Sequence, residues 1–129
     1  MENIPMSILP VLPVADVPEA IEHYVSVLGF EEEFRMPNDD GIIVNGLVGR
    51  GDNRIMLNLN PKDADRNGGG IWLWLRVDRE DIDALYREIG TNPAISVVEE
   101  IGDRFWGDRS FAIRDALGYT LAFNAKIDA

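Results

Sequence analysis

Trp72, Trp74 and Arg76 alternate with aliphatic residues, and this spacing could bring two indole rings and a guanidinium together. Successive side chains of a β-strand point to opposite faces, so the pattern predicts a strand with one aliphatic face and one aromatic face. Aromatic faces stack on planar rings or attract cations, each contact contributing about 0.5–2 kcal/mol. The tryptophans therefore indicate either a surface that holds a flat ligand or a second core or dimer interface.

Other residues with catalytic potential are scarce. The sequence has one histidine, His23, and no cysteine, which excludes disulfides, thiolate metal sites and Cys/His nucleophilic pairs. His23 falls in a helical pattern, where a structural role is expected rather than a role as ligand or base. Gly68-Gly69-Gly70 precedes a strand and no Lys-Ser/Thr follows, so these glycines predict slack in the chain and not a phosphate loop.

Length and composition predict a single soluble domain, residues 1–129, with 46% hydrophobic and 27% charged residues. No apolar run approaches the ~18 residues of a membrane span, so no membrane association is expected. The net charge of −11 argues against nucleic acid and would favour a cationic small molecule, or it only maintains solubility. The lack of cysteine and of a basic-then-apolar N-terminal segment predicts a cytoplasmic protein.

These residues are positioned by two consecutive modules, each with the element order strand–helix–strand–strand–strand. The first module, about residues 7–60, has predicted strands at Ile8–Val14, Phe30–Met36, Ile42–Val48 and Arg54–Asn60, with a helix capped by Asp16 and ended by Gly29. A linker spans residues 61–70. The second module, about residues 71–125, has a predicted helix at Glu80–Ile89 and strands at residues 71–77, Ile95–Glu100, Arg109–Arg114 and Tyr119–Asn124.

The two halves also align by residue type. Met56–Asn60 matches Thr120–Asn124 at an offset of 64 in residue number, and Ile8-Leu9 matches Ile71-Trp72 at an offset of 63. A repeat of this length is too long for a common solenoid unit, and two copies are too few for one. The pattern therefore indicates two related modules in one domain.

Two stretches resemble the glyoxalase/bleomycin resistance/dioxygenase group, the vicinal oxygen chelate superfamily. They are Val14–Phe30, with its Val-Ala-Asp-Val start and Val-Leu-Gly-Phe end, and Trp106–Phe123, with Asp-Ala-Leu-Gly-Tyr. The resemblance covers nearly the whole chain. It implies an α+β fold in which two tandem βαβββ modules form a rolled, cup-shaped mixed β-sheet with the helices outside.

In metal-using members of this superfamily, one side chain on the first and one on the last strand of each module hold a divalent ion. The matching positions here are Leu9, Asn58, Trp72 and Ala122. Only Asn58 offers an oxygen, whereas such ions need imidazole or carboxylate ligands. The resemblance is therefore to the metal-free, bleomycin-resistance-like branch, and we expect no metal, no cofactor and no catalytic residues.

The alternation rule also predicts which side chains line the cup. The predicted ligand-binding residues are Leu9, Val11, Met56, Asn58, Trp72, Trp74, Arg76, Trp106, Thr120 and Ala122, with Pro13, Arg54 and Asn124 on the same faces. This apolar and aromatic set with a few amides is typical of an organic-ligand pocket. The acidic run Glu31–Glu33 is a solvated face or a rim that attracts cations, and Arg54, Arg76 and Arg114 are expected to pair with carboxylates.

Three functions are compatible with these features. The first is a metal-independent protein that sequesters a flat or cationic organic ligand, such as an antibiotic. The second is a metal-dependent glyoxalase or dioxygenase-type lyase or oxidoreductase with a relocated ion. The third is a fold kept for protein association alone. The resemblance further implies a homodimer, because a monomer would leave the tryptophans exposed to water.

Overall fold

The computed structural model describes residues 3–64 and 70–127. The chain divides into two compact units, with the boundary between Lys62 and Asp63. Each unit contains a four-stranded mixed sheet, and the element order confirms the α+β class and the tandem βαβββ modules. Within the described ranges, no helix is long and apolar enough to cross a membrane.

The first module is a mixed sheet with one long helix. Its elements are β1 (Val11–Val14), α1 (Val17–Ser26), β2 (Glu31–Pro37), β3 (Ile43–Arg50) and β4 (Asn53–Leu59), and the short α2 (Pro61–Ala64) follows at the boundary between the units. The strand order is β1-β4-β3-β2, with β1 parallel to β4 and the other pairs antiparallel. The predicted linker of residues 61–70 therefore begins with a helical turn, and Asp65–Gly69 lie outside the described residues.

Helix α1 begins and ends where the sequence indicates. The Asp16 carboxylate accepts a hydrogen bond from the Glu19 amide at 2.9 Å, which satisfies a helix N–H that has no partner within the helix. At the other end Gly29 takes a φ of 73°, a conformation that favours glycine. Between them Ile21 and Tyr24 are buried against the sheet.

The helix approaches the sheet closely at one glycine of β3. A Cβ added to Gly46 would lie 2.6 Å from Ile21 Cδ1 and 3.2 Å from Val17 Cγ1. In the ladder, Gly46 lies opposite Leu57, so this glycine is on the face of the sheet that packs against α1. The absence of a side chain at this position lets α1 pack directly on the backbone of β3.

The first strand is shorter than predicted. We expected it to begin at Ile8, but β1 begins at Val11, and Ile8 and Leu9 are 93% and 42% exposed. Pro10 has no N–H to donate to the ladder, although its carbonyl accepts from the Met56 amide at 2.9 Å. The proline thus marks the point at which regular pairing stops.

The second module repeats the plan. Its elements are β5 (Trp72–Arg76), α3 (Ile82–Gly90), β6 (Ser96–Asp103), β7 (Asp108–Arg114) and β8 (Thr120–Lys126), in the strand order β5-β8-β7-β6. Helix α3 begins at Ile82 instead of the predicted Glu80, and it includes Gly90, which was expected to end it. The Asp81 side chain forms no capping hydrogen bond, so this helix lacks the clear start signal of α1.

An aromatic cluster forms the core of the second module. Phe111 of β7 stacks on Phe123 of β8 with ring centroids 4.9 Å apart, and Tyr86 of α3 meets Phe111 edge-on at the same distance. Phe111 is 1% exposed. These contacts define the face of the sheet that packs against α3, and the opposite face is called the open face below.

An ion-pair network also joins α3 to β7. The Asp83 carboxylate accepts hydrogen bonds from Arg109 Nε at 3.0 Å and from Arg109 Nη2 at 2.8 Å, while Arg109 Nη1 donates to Asp103 at 2.9 Å. The hydrogen bonds from Arg109 lower the pKa of Asp83, because they favour its ionised form. Asp83 is therefore more acidic in the folded protein than in the unfolded chain.

This network predicts a pH-dependent contribution to stability. A carboxyl whose folded pKa is depressed stabilises the fold above its unfolded pKa of about 3.9, and the contribution is lost as the pH falls through the folded pKa. We expect Asp83→Asn to lower the free energy of unfolding at neutral pH and to lose this difference progressively as the pH falls below about 4. Urea unfolding across that range measures it, with Asp39→Asn in the exposed β2–β3 turn as control. A difference that persists unchanged at low pH would contradict the assignment.

Candidate functional site

Three rows of side chains cross the open face of the second module. In each row a residue of β5 is the ladder partner of one in β8, which pairs in turn with one in β7. The rows are Trp72 with Thr120 and Arg114, Trp74 with Ala122 and Ala112, and Arg76 with Asn124 and Ser110. Because directly opposed residues point to the same face, the predicted residues of β5 and β8 lie together here, away from α3.

The two tryptophans are the large apolar groups of this face. Trp72 and Trp74 are 47% and 55% exposed, whereas Thr120 and Ala122 beside them are buried. Soluble proteins seldom leave neighbouring aromatic rings this accessible unless the surface binds something. The two indoles thus offer a flat apolar surface, with the exposed Arg114 of β7 at the far end of the first row.

The third row is polar and its charges are paired. Arg76 Nη1 lies 3.4 Å from Asp108 Oδ1, with the arginine side chain 50% exposed and the aspartate 12% exposed. Ser110 Oγ accepts a hydrogen bond from Arg104 Nε at 2.9 Å. In the first module, Arg54 likewise pairs with Glu33 at 2.7 Å. The expected pairing with carboxylates is confirmed for Arg54 and Arg76, whereas Arg114 forms no ion pair among the described residues.

Asn124 also lies on this face, although the sequence pattern did not place it among the predicted ligand-binding residues. Alternation places it beside Arg76, but the sequence does not show that its side chain is fully buried. Its Nδ2 donates to the Ala122 carbonyl at 3.1 Å, and no group among the described residues donates to its Oδ1. Burial without a partner is a tertiary property that no local pattern reports.

Trp106 lies apart from the three rows. It occupies the turn before β7, is 51% exposed and meets Phe105 edge-on with ring centroids 5.0 Å apart. Since the first residue of β7, Asp108, pairs with Lys126, this turn lies beyond the Arg76 end of the open face. The structure therefore does not bring Trp106 next to Trp72, which lies at the opposite end of β5.

The open face of the first module carries Val11, Met56 and Asn58. In the ladder Val11 lies opposite Met56, and Pro13 lies opposite Asn58. The Asn58 amide donates to Asn45 Oδ1 at 2.8 Å, so this polar pair is internally satisfied. Leu9 precedes the strand and holds no ladder position. The face is largely apolar, as predicted, but it presents no aromatic ring of its own on β1 or β4.

The ladder register corrects the predicted repeat. Met56 and Thr120 hold equivalent positions, opposite Val11 and Trp72 respectively, so Trp72 corresponds to Val11. The offset that linked Leu9 to Trp72 is therefore wrong, because it shifts the first strand by two positions. A shift of two residues cannot be detected from the sequence pattern, because it leaves the alternation of inward and outward side chains unchanged.

The side chains at the superfamily's metal positions do not fit a divalent ion. In the first module Leu9 carries no donor atom, nor does Val11 under the corrected register, and the Asn58 amide is already bonded to Asn45. In the second module neither Trp72 nor Ala122 offers an oxygen or imidazole ligand. Elsewhere among the described residues, Asp78, Glu80 and Asp81 form an exposed carboxylate group before α3.

A groove in the first module was not predicted. It has a volume of about 320 Å³ and lies beside the start of α1. Its lining residues are Ala15, Asp16, Val17, Pro18, Ile42, Ile43 and Leu59. Apart from Asp16, whose carboxylate caps α1, the lining side chains are apolar, and no sequence motif distinguishes them from ordinary core residues.

The family model described as the glyoxalase/bleomycin resistance protein/dioxygenase superfamily matches residues 8–123. The chain belongs to this superfamily. This member of the superfamily is similar to the bleomycin-binding protein from bleomycin-producing Streptomyces verticillus, solved with copper(II)-bleomycin. The two share 27% identity over 97% of this chain and 98% of that one, with a TM-score of 0.70.

Two further proteins resemble this glyoxalase/bleomycin resistance superfamily member. TioX from Micromonospora sp. ML1 shares the fold, with a TM-score of 0.72, 23% identity and coverage of 95% of this chain and 100% of that one. An uncharacterized protein of Mycobacterium tuberculosis is 26% identical over 124 residues, which span 91% of this chain and 72% of the relative. These comparisons support the same architecture along nearly all of the chain.

Proposed function

We propose that this protein is a metal-independent binding protein that sequesters a flat, cationic organic molecule. The observation that carries the proposal is the pair of half-exposed indoles, Trp72 and Trp74, on the open face of the second module. Two rings on alternate residues of one strand lie about 7 Å apart along it. A planar ligand with two or three fused or linked rings would span both of them.

The charge of the protein favours a cationic ligand. The net charge is −11, and two arginines of the open faces are already paired, Arg54 with Glu33 and Arg76 with Asp108. The excess of carboxylates therefore makes the surrounding electrostatic potential negative. A negative potential attracts positively charged molecules. Cations also bind favourably over the faces of tryptophan rings.

The similarity to a bleomycin-binding protein suggests the class of molecule. An antibiotic with planar rings and a positive charge would meet both requirements of the open face.

We further propose that the protein acts in the cytoplasm as a homodimer, because half-exposed apolar residues such as Trp72, Trp74 and Val11 are expected to be covered by a ligand or a partner. The proposed ligand-binding residues of the second module are Trp72, Trp74, Arg76, Thr120 and Ala122, whereas Leu9, Val11, Met56 and Asn58 of the first module and Trp106 of the turn before β7 stay predictions from the sequence.

Isothermal titration calorimetry with metal-free bleomycin and with the cationic planar dye ethidium tests this function. We expect saturable binding that a chelator does not change. Trp72→Ala and Trp74→Ala should each weaken binding roughly 2- to 30-fold, the equivalent of about 0.5–2 kcal/mol for each ring. Trp106→Ala is expected to have a smaller effect, since Trp106 lies beyond the end of the face.

Controls separate these effects from changes in folding. Val25→Ala removes an exposed aliphatic group from α1 and should leave affinity unchanged. Sedimentation of the same samples should give twice the 14.4 kDa mass of the chain. Wild-type affinity in the Trp72→Ala/Trp74→Ala double variant, or no binding of either compound by the wild type, would refute the proposed function. A requirement for divalent metal would instead favour the metal-dependent enzyme.

A further inference from the structure

The Asn124 side chain is the one buried polar group of the described residues that retains an unsatisfied acceptor. The residue is 0% exposed, and its backbone carbonyl is already bonded to the Val77 amide at 2.9 Å. Its Nδ2 donates to the Ala122 carbonyl, and the reverse placement of the amide would set Oδ1 against that carbonyl oxygen. The orientation is therefore fixed, and Oδ1 is the atom without a donor.

The ladder neighbours of Asn124 do not supply the missing donor. Arg76, its partner on β5, directs Nη1 to Asp108, and Ser110, its partner on β7, accepts from Arg104 and makes no hydrogen bond to Oδ1. A buried acceptor without a partner destabilises a protein, and such groups are uncommon in native structures. Their presence beside a candidate binding surface suggests that a ligand completes the set of hydrogen bonds.

We infer that Asn124 is a specificity-determining residue of the open face, and that its Oδ1 accepts a hydrogen bond from an N–H group of the ligand. This inference rests on the proposed function. Asn124 lies in the row next to Trp74, a distance of about 7 Å along the strands. The ligand class is therefore a planar ring system that stacks on Trp74 and carries an amide, amidine or amine N–H on its edge.

Arg76, the ladder partner of Asn124 on β5, is the side chain that we expect a ligand to displace on its way to Oδ1. Its side chain is half-exposed, and its contact with Asp108 is long, at 3.4 Å. Ion pairs that reach solvent are weak and are readily exchanged for other contacts. Displacement of Arg76 by an N–H donor would leave Asp108 nearby as a carboxylate, which again favours a cationic ligand.

A pair of probes with the same ring system and carbonyl group, one with an N–H donor and one without, tests this role. Acridine-4-carboxamide carries the N–H, and its methyl ester analogue does not. We expect wild-type protein to prefer the amide roughly 5- to 150-fold in calorimetric titration. Asn124→Leu, similar in volume but without an acceptor, should remove this preference and keep the affinity for the ester. The same variant should melt at a higher temperature, because the unsatisfied carbonyl is gone.

Asn92→Leu is the matched control, since Asn92 lies outside the proposed ligand-binding residues and its Oδ1 already accepts a hydrogen bond from the Ala94 amide at 2.9 Å. It should melt at a lower temperature and keep the preference for the amide. Asn124→Ala provides a second test if the leucine variant does not fold. Equal affinity of the wild type for both probes, or a preference that survives both substitutions, would overturn the role of Asn124 but not the proposed function. Binding of neither probe would overturn the role of Asn124, and it would overturn the proposed function only if bleomycin and ethidium also failed to bind.

Discussion

Replacing Phe111 with alanine should lower the free energy of unfolding by about 3–5 kcal/mol. The ring is 1% exposed and contacts Phe123 and Tyr86, so its removal leaves a cavity between β7, β8 and α3 that its neighbours cannot fill. Part of the loss is the burial of the ring itself, and part is the loss of the stacked and edge-on aromatic contacts. Urea unfolding followed by circular dichroism measures the change.

Phe105→Ala is the matched control for this prediction. The same side chain is removed from the same module, but Phe105 is 97% exposed in the turn before β7. We expect its substitution to change the free energy of unfolding by less than about 0.5 kcal/mol. Similar losses in the two variants would show that the aromatic cluster is not the core of the second module.

Replacing Gly46 with valine should destabilise the first module by about 3 kcal/mol or more. An added Cβ alone would lie 2.6 Å from Ile21 Cδ1, and the two methyl groups of valine would extend further into the space occupied by α1. Ile21 is buried and cannot move toward solvent, so the helix itself must shift away from β3. Because valine otherwise favours β-strands, a loss of stability in this variant would be due to the steric clash.

Gly102→Val on β6 supplies the comparison. A Cβ at Gly102 would meet only the Arg104 guanidinium at 3.5 Å, an ordinary contact with a flexible side chain. We expect this variant to unfold within about 1 kcal/mol of wild type. Wild-type stability in Gly46→Val would mean that α1 does not rest on β3 at this position.

The elements that could be predicted from the sequence are those with local signals. Asp16 and Gly29 mark the two ends of α1, and the alternation from Trp72 to Arg76 gives both the strand and its two faces. These features depend on the period of the side chains and on capping hydrogen bonds, which neighbouring residues determine. They sufficed to place most of the candidate site on the correct faces.

Features that depend on pairing between distant strands could not be predicted. The register of β1 on β4 and of β5 on β8 makes Val11 the counterpart of Trp72, whereas similarity of residue type suggested Leu9. The missing partner of Asn124 Oδ1 and the groove beside α1 likewise arise from side chains far apart in sequence. Tertiary contacts decide these properties, so they become visible only in the folded structure.

The outer strands β2 and β6 have a consequence for aggregation. β2 carries Glu31–Glu33 with a bulge between Glu32 and Phe34, and β6 carries Glu99 and Glu100 with two breaks in register. Bulges and like charges on such strands discourage a second chain from adding its own strand and starting a fibril. Replacing these glutamates with neutral residues would weaken that protection, leaving backbone geometry as the remaining barrier to amyloid-like growth.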